Sequence, residues 1–323
     1  MQVGTGAFGL SDEGLSTMSS SRIKVHFSSG DTRCAAWHYP GRNRACVIMA
    51  GGLGVTKEPG TDRFAKVFND AGYTVLAFDY RHLGESGGMP RQLVRIGEQL
   101  ADWQAAITFA ATLPDVDPTK LTIWGFSLSG GHVFSIAARN PGLAAAIAHA
   151  PLADGPASAP NAFRHMTPFA LTRLTARALA DTVSTAVGRE PVLVPLAGPR
   201  GTVASLTTPD SLNSGPALNP GNRYPEWRQA VNARAALEIG LQRPGRHASR
   251  IRCPLLVVAY QNDGVAPPKP AIRAAHRAPR GELALLPGGH YEAFLTGHQQ
   301  AAETLLSFLD RHVAVSPQGS MAR

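Results

Sequence analysis

The chain has 323 residues, of which 44% are hydrophobic and 17% charged, enough apolar material for a sizeable core and too much for wholesale disorder. Lys and Arg total 31 against 23 Asp and Glu, a net charge of +8, yet the positive side chains are scattered, which argues against nucleic acid as a partner. No apolar run reaches the roughly 18 residues that span a bilayer, so no membrane is expected either.

Residues 1–20 read as a flexible tail, not a secretory signal. RIKVHF (22–27) and CAAWHY (34–39) are strand candidates around an SSGD turn. CVIMA (46–50) is a continuous apolar run, as in a strand covered on both faces, and it stops at GGLG. A helix over 62–71 leads into a second buried strand, TVLAFD (74–79). Over 91–111, Leu93, Ile96, Leu100, Trp103 and Ile107 fall on one helical face. LTIWG (121–125), a helix from 127 towards 139, and an apolar strand ending near Ala150 follow. Strand and helix alternate with short connections, which predicts an α/β fold with a mostly parallel sheet flanked by helices.

Residues 151–250 break that alternation with many prolines, and helices are expected over 170–187 and 226–240. A structureless loop of this length is improbable in a compact domain, so the segment reads as a mainly helical lid. It would be inserted into a core made of 21–150 and 251–313. The sheet pattern resumes with PLLVVAY (254–260), a helix over 268–278, ELALLP (282–287) and a final helix over 291–313, and 314–323 read as a second flexible tail.

The sharpest local feature is the strand LTIWG followed by FSLSGG. A strand-to-helix corner with Ser127 at its tip would project the hydroxyl above the sheet edge, with the amide of Leu128 facing a developing oxyanion. The strict G-x-S-x-G pattern is missed by one position, since Ser129 stands where glycine is usual, and the competing reading of Ser127 is a plain helix N-cap. A serine needs a histidine to take its proton and a carboxylate to orient that histidine. His290, past ELALLP, and Asp263, past PLLVVAY, occur in the expected order at strand ends. Asp154 is the rival acid, whereas His132 and His149 lie where packing is the simpler role.

GGLGVTK (51–57) is the candidate oxyanion loop, with the amide of Leu53 as donor and Gly52 as the alternative. Asp79 and Arg81 are expected to tie neighbouring loops together, and Arg91 to meet a substrate carboxylate. Phe163 and Phe169 in the lid point to an apolar acyl or ring-bearing substrate, or to packing of the lid on the body. Neither a nucleotide-binding glycine pattern nor a metal-ligand pattern occurs, so no cofactor and no metal are expected. Cys34, Cys46 and Cys253 are odd in number and apolar in setting, as in reduced, buried thiols of a cytoplasmic protein.

MAGGLGVTK, AGYTVLAFDYRHLGESGG with PRQL, DWQAAI, WGFSLSGGH, QNDGVAP and GGHYEAF together resemble the α/β-hydrolases over about residues 22–313. More narrowly, they are similar to the bacterial hydrolases related to dienelactone hydrolase, the Xaa-Pro dipeptidyl-peptidase-like group and the polyketide-transferase-like proteins. The resemblance implies an α/β-hydrolase fold, catalysis by Ser127, His290 and Asp263, an oxyanion hole near Leu53 and Leu128, and no cofactor. Relatives commonly carry a histidine where this chain has Gly51. The expected activity is serine-dependent, carboxylesterase-like cleavage of a small apolar ester, lactone or thioester, with a homo-oligomer left open. An acyltransferase using the same serine and a non-catalytic ligand-binding module are the alternatives.

Overall fold

The structure, a computed structural model, describes residues 22–313, so both expected tails lie outside the described residues. A hairpin of β1 (Ile23–Ser29) and β2 (Thr32–Tyr39) precedes β3 (Cys46–Ala50), α1 (Thr61–Asp70), β4 (Thr74–Phe78), α2 (Ile96–Ala110), β5 (Leu121–Phe126), α3 (Leu128–Ala137) and β6 (Ala145–His149). The next hundred residues hold α4 (Gly155–Arg164), α5 (Pro168–Ala186), β7 (Leu193–Pro195), α6 (Ser214–Leu218), β8 (Ala230–Asn232) and α7 (Ala235–Leu241). The chain then returns to the sheet with β9 (Leu255–Tyr260), α8 (Pro268–Arg277), β10 (Gly281–Leu286) and α9 (His298–His312). The eight-stranded sheet has the order β1-β2-β4-β3-β5-β6-β9-β10, and β2 runs against the other seven.

Strand alternation divides the core into two layers. Val47, Met49 and Trp124 face one side, where Phe64 and Phe68 of α1 and Phe308 of α9 cover them. Ile48, Ile123 and Val257 face the other, under Trp103 of α2, Phe134 of α3 and Ala271 of α8. With both faces covered, the central strands are apolar at nearly every position, as the continuous runs in the sequence require. Among the described residues no helix is long and apolar enough to cross a membrane.

Three elements differ from expectation. Residues 226–240 are not one helix: Ala230–Asn232 pair with β7, and only Ala235–Leu241 coil. The cause is tertiary. Trp227 donates from Nε1 to the carbonyl of Gly54 at 2.9 Å, and the Asn232 amide accepts from the Val94 N–H at 2.8 Å and donates to Asp181 at 3.2 Å. These bonds override a helical pattern that is only a weak preference. The helix expected from 91 starts at Ile96, because Gln92 sits at φ 61 and its side chain donates to the carbonyl of Ala230 at 2.6 Å. The last helix starts at His298, after a short turn over Glu292–Phe294 and Gly297.

Asp79 and Arg81 do tie loops together, each with its own partner. Lys57, fully buried at the end of the GGLGVTK loop, contacts Asp79 at 3.0 Å and Glu85 at 2.6 Å, while Arg81 contacts Asp102 at 2.7 Å. Removing one partner of a buried ion pair strands the other charge without water. Lys57→Met is therefore expected to lower unfolding free energy by about 3 kcal/mol in urea titrations.

His132 on α3 and His149 on β6 are also buried, and burial holds both imidazoles down, from 6.5 to about 3. The unfolded chain binds their protons near pH 6.5, while the fold refuses them until about pH 3. Their contribution is thus complete above the unfolded value and lost as pH falls from there towards 3. Melting temperatures of the parent should drop more steeply between about pH 7 and pH 5 than those of His132→Gln.

Candidate active site

Ser127 occupies the corner between β5 and α3 at φ 57, ψ −113, a region that L residues rarely adopt. The surroundings enforce it. A Cβ on Gly125 would lie 2.3 Å from the carbonyl oxygen of Ser129, and one on Gly130 would lie 2.9 Å from that of His149. The Ser127 N–H donates to the His149 carbonyl at 2.9 Å, and its own carbonyl accepts from Gly131 and Leu152, both at 3.0 Å. Strain at this position is held by bonds to α3 and to the end of β6.

The loops after β9 and β10 bring the other two side chains to this corner. His290 Nε2 lies 2.8 Å from Ser127 Oγ, and His290 Nδ1 lies 2.7 Å from Asp263 Oδ2. His290 is fully buried and Asp263 nearly so. Burial pushes the Asp263 carboxyl up from its ordinary value, opposed by His290 and by the Ala266 amide, which donates to Oδ1 at 2.6 Å. A carboxylate at Nδ1 assigns the ring proton to that nitrogen and leaves Nε2 as the acceptor of the serine proton.

The loop after β3 approaches the same hydroxyl. A Cβ on Gly52 would lie 3.1 Å from Ser127 Cβ, so only glycine brings the backbone this close. Gly52, Leu53 and Ser127 line one narrow crevice with Val55, Phe126, Leu196, Leu218 and Trp227. Leu128 opens α3, where first-turn amides have no intrahelical acceptor.

Ser129 is buried, and its departure from the usual glycine has a use. Its hydroxyl donates to the carbonyl of Gly51. Tyr80 OH lies 2.5 Å from Ser129 Oγ, and Trp103 Nε1 lies 2.7 Å from Tyr80 OH. With the serine proton committed to Gly51, the order of donation is Trp103 to Tyr80 to Ser129 to Gly51. Helix α3 thereby grips the start of the GGLGVTK loop.

The remaining candidates have other employment. Asp154 caps α4 by accepting from the Ala157 amide at 3.0 Å. His132 meets Gln99 at 2.9 Å and His149 meets Tyr260 at 2.9 Å. The Arg91 guanidinium lies on the carbonyls of Ser86 and Gly84, at 2.5 and 2.6 Å, rather than in the crevice. Phe163 and Phe169 are 54% and 67% exposed, so they neither line the crevice nor pack on the body. Cys34, Cys46 and Cys253 are free, buried thiols. Sequence reasoning missed Trp227, whose bond to Gly54 crosses an unpredictable separation, and the role of Ser129, whose only signal was the irregular motif itself. A wider depression of about 920 Å³, bordered by Phe27, Leu100 and Phe109, contains none of the residues around Ser127.

The sequence profile of the family described as serine aminopeptidase, S33 (Hydrolase_4) matches residues 41–295. The quorum-quenching protein AidA of Acinetobacter baumannii is 37% identical over 306 residues, 93% of this chain and 98% of its own. A thiohydrolase of Eupenicillium brefeldianum is 32% identical over 175 residues, 54% of either chain. Among solved structures, the α/β hydrolase GrgF from Penicillium sp. sh18 matches with a TM-score of 0.77 at 24% identity, over 91% of this chain and 99% of that one. The mostly parallel sheet, its flanking helices and the profile match lead to one assignment: the chain is an α/β-hydrolase and belongs to the serine aminopeptidase S33 (Hydrolase_4) family.

Proposed function

We propose that the protein is a serine hydrolase that cleaves a small, apolar carboxylic ester, lactone or thioester through an acyl-serine at Ser127. The observation that carries this reading is the unbroken hydrogen-bonded path from Ser127 Oγ through His290 to Asp263, at 2.8 and 2.7 Å. In the first half-reaction His290 Nε2 takes the hydroxyl proton as Ser127 Oγ bonds to the substrate carbonyl carbon. The oxyanion is held by the amides of Leu128 and Leu53, and Asp263 steadies the imidazolium. Collapse breaks the bond to the leaving group, which departs with the proton from His290. Water, deprotonated by His290, then attacks the acyl-serine and releases the acid.

The crevice favours neutral substrates. Its side chains are apolar apart from serine hydroxyls, a tryptophan N–H and a tyrosine OH, and it offers no acidic group to a free α-amine. The lining therefore supports cleavage of an ester-like bond over removal of an N-terminal residue. Free space beside Ser127 is about 20 Å³, room for about one water molecule. An acyl chain would enter only if Leu196, Leu218 and Trp227 shift, and all three belong to the 151–250 insertion, which we read as a lid. An acyltransferase reading uses the same serine and is favoured by a polyketide transferase of Aspergillus fumigatus, 33% identical over 166 residues. Product analysis with added alcohols and amines separates the two.

Fluorophosphonate labelling of the parent, absent in Ser127→Ala, is the direct test; equal labelling of both would remove Ser127 from the mechanism. A panel of nitrophenyl esters should be turned over at short and medium acyl lengths, with anilides hydrolysed far more slowly. Ser129→Ala unties the Gly51 carbonyl and leaves the buried Tyr80 O–H without its acceptor. We expect kcat to fall about tenfold with little change in KM, and stability to fall by about 1–3 kcal/mol, read from steady-state kinetics and thermal melts.

A further inference from the structure

The insertion holds the two loops of the proposed relay as well as covering it. Asn161 on α4 donates from Nδ2 to the carbonyl of Gly264 at 2.6 Å, and Asp210, in the turn before α6, accepts the amide of Gly264 through Oδ2 at 2.8 Å. Gly264 follows Asp263 directly, so the turn that carries the proposed acid is gripped on both its donor and its acceptor. The same Asp210 oxygen also accepts from the amide of His290, at 3.4 Å. A Cβ on Gly264 would lie 2.8 Å from Asp210 Oδ1, an oxygen that is buried with no hydrogen-bond partner among the described residues.

We propose that Asp210 and Asn161 are positioning residues that couple closure of the insertion to assembly of the Ser127–His290–Asp263 relay, an inference that rests on the hydrolase reading above. The crevice walls Leu196, Leu218 and Trp227 come from the same insertion. An acyl chain that settles those walls also settles the loops bearing acid and base, so binding is converted into alignment of the reacting groups.

Asp210→Asn keeps an acceptor oxygen and removes the charge, whereas Asp210→Ala and Asn161→Ala remove the bonds. With p-nitrophenyl butyrate, Asp210→Ala should lose about tenfold in kcat with KM held within about twofold, and Asn161→Ala should change in the same direction. Asp210→Asn, which can still accept from the Gly264 amide, should restore most of kcat at unchanged KM, a rescue that marks positioning of the loops as the role of this side chain. Parent-like kcat in Asp210→Ala and Asn161→Ala variants that melt cooperatively would overturn the proposal and leave the hydrolase reading intact. A parent that neither hydrolyses the ester nor takes the fluorophosphonate label would overturn both. If Asp210→Ala fails to fold, Asn161→Ala decides: a lowered kcat at unchanged KM supports the coupling, and a parent-like kcat rejects it.

Discussion

The close approach of β5 to α3 governs the rest of the molecule. Where Gly125 and Gly130 leave no room for a side chain, the backbone turns within one residue, and Ser127 takes a conformation that only its neighbours' bonds sustain. That turn sets the hydroxyl at the carboxyl ends of the parallel strands, where the loops after β3, β9 and β10 also emerge.

The GGLGVTK loop, proposed to hold the oxyanion, is anchored from three directions. Ser129 on α3 holds the carbonyl of Gly51, Trp227 of the insertion holds that of Gly54, and Asp79 after β4 holds both the amide and the ammonium of Lys57. The three anchors lie far apart in sequence and are buried, so they confine a glycine-rich stretch that would otherwise sample many conformations. Donors fixed before a reaction need not reorganise during it, and this supports the electrostatic task proposed for the loop.

Much of this was legible in the sequence. Central strands buried on both faces announce themselves as unbroken apolar runs: CVIMA coincides with β3, and TVLAFD and PLLVVAY match β4 and β9 to within one residue. The corner at Ser127 was visible because its glycines obey a local steric rule. Residues 226–240 misled because their helical spacing is local, while Trp227 and Asn232 answer to partners more than a hundred residues away. Ion-pair partners were illegible for the same reason: nothing near Asp79 says that Lys57 rather than Arg81 will reach it. Asp210 carries no motif at all, and its meaning appears only when three loops meet.

The division of labour between sheet and insertion bears on how such a protein can diversify. The three side chains of the proposed relay belong to the sheet and its loops, while much of the crevice wall belongs to the insertion, so changes at Leu196, Leu218 or Trp227 would reshape the crevice without touching Ser127, His290 or Asp263. The contacts of Asn161 and Asp210 with Gly264 limit that freedom. A segment transplanted from a relative would have to supply a carboxamide and a carboxylate at matching places. Swaps that preserve those two groups should graft cleanly, and wholesale exchange should not.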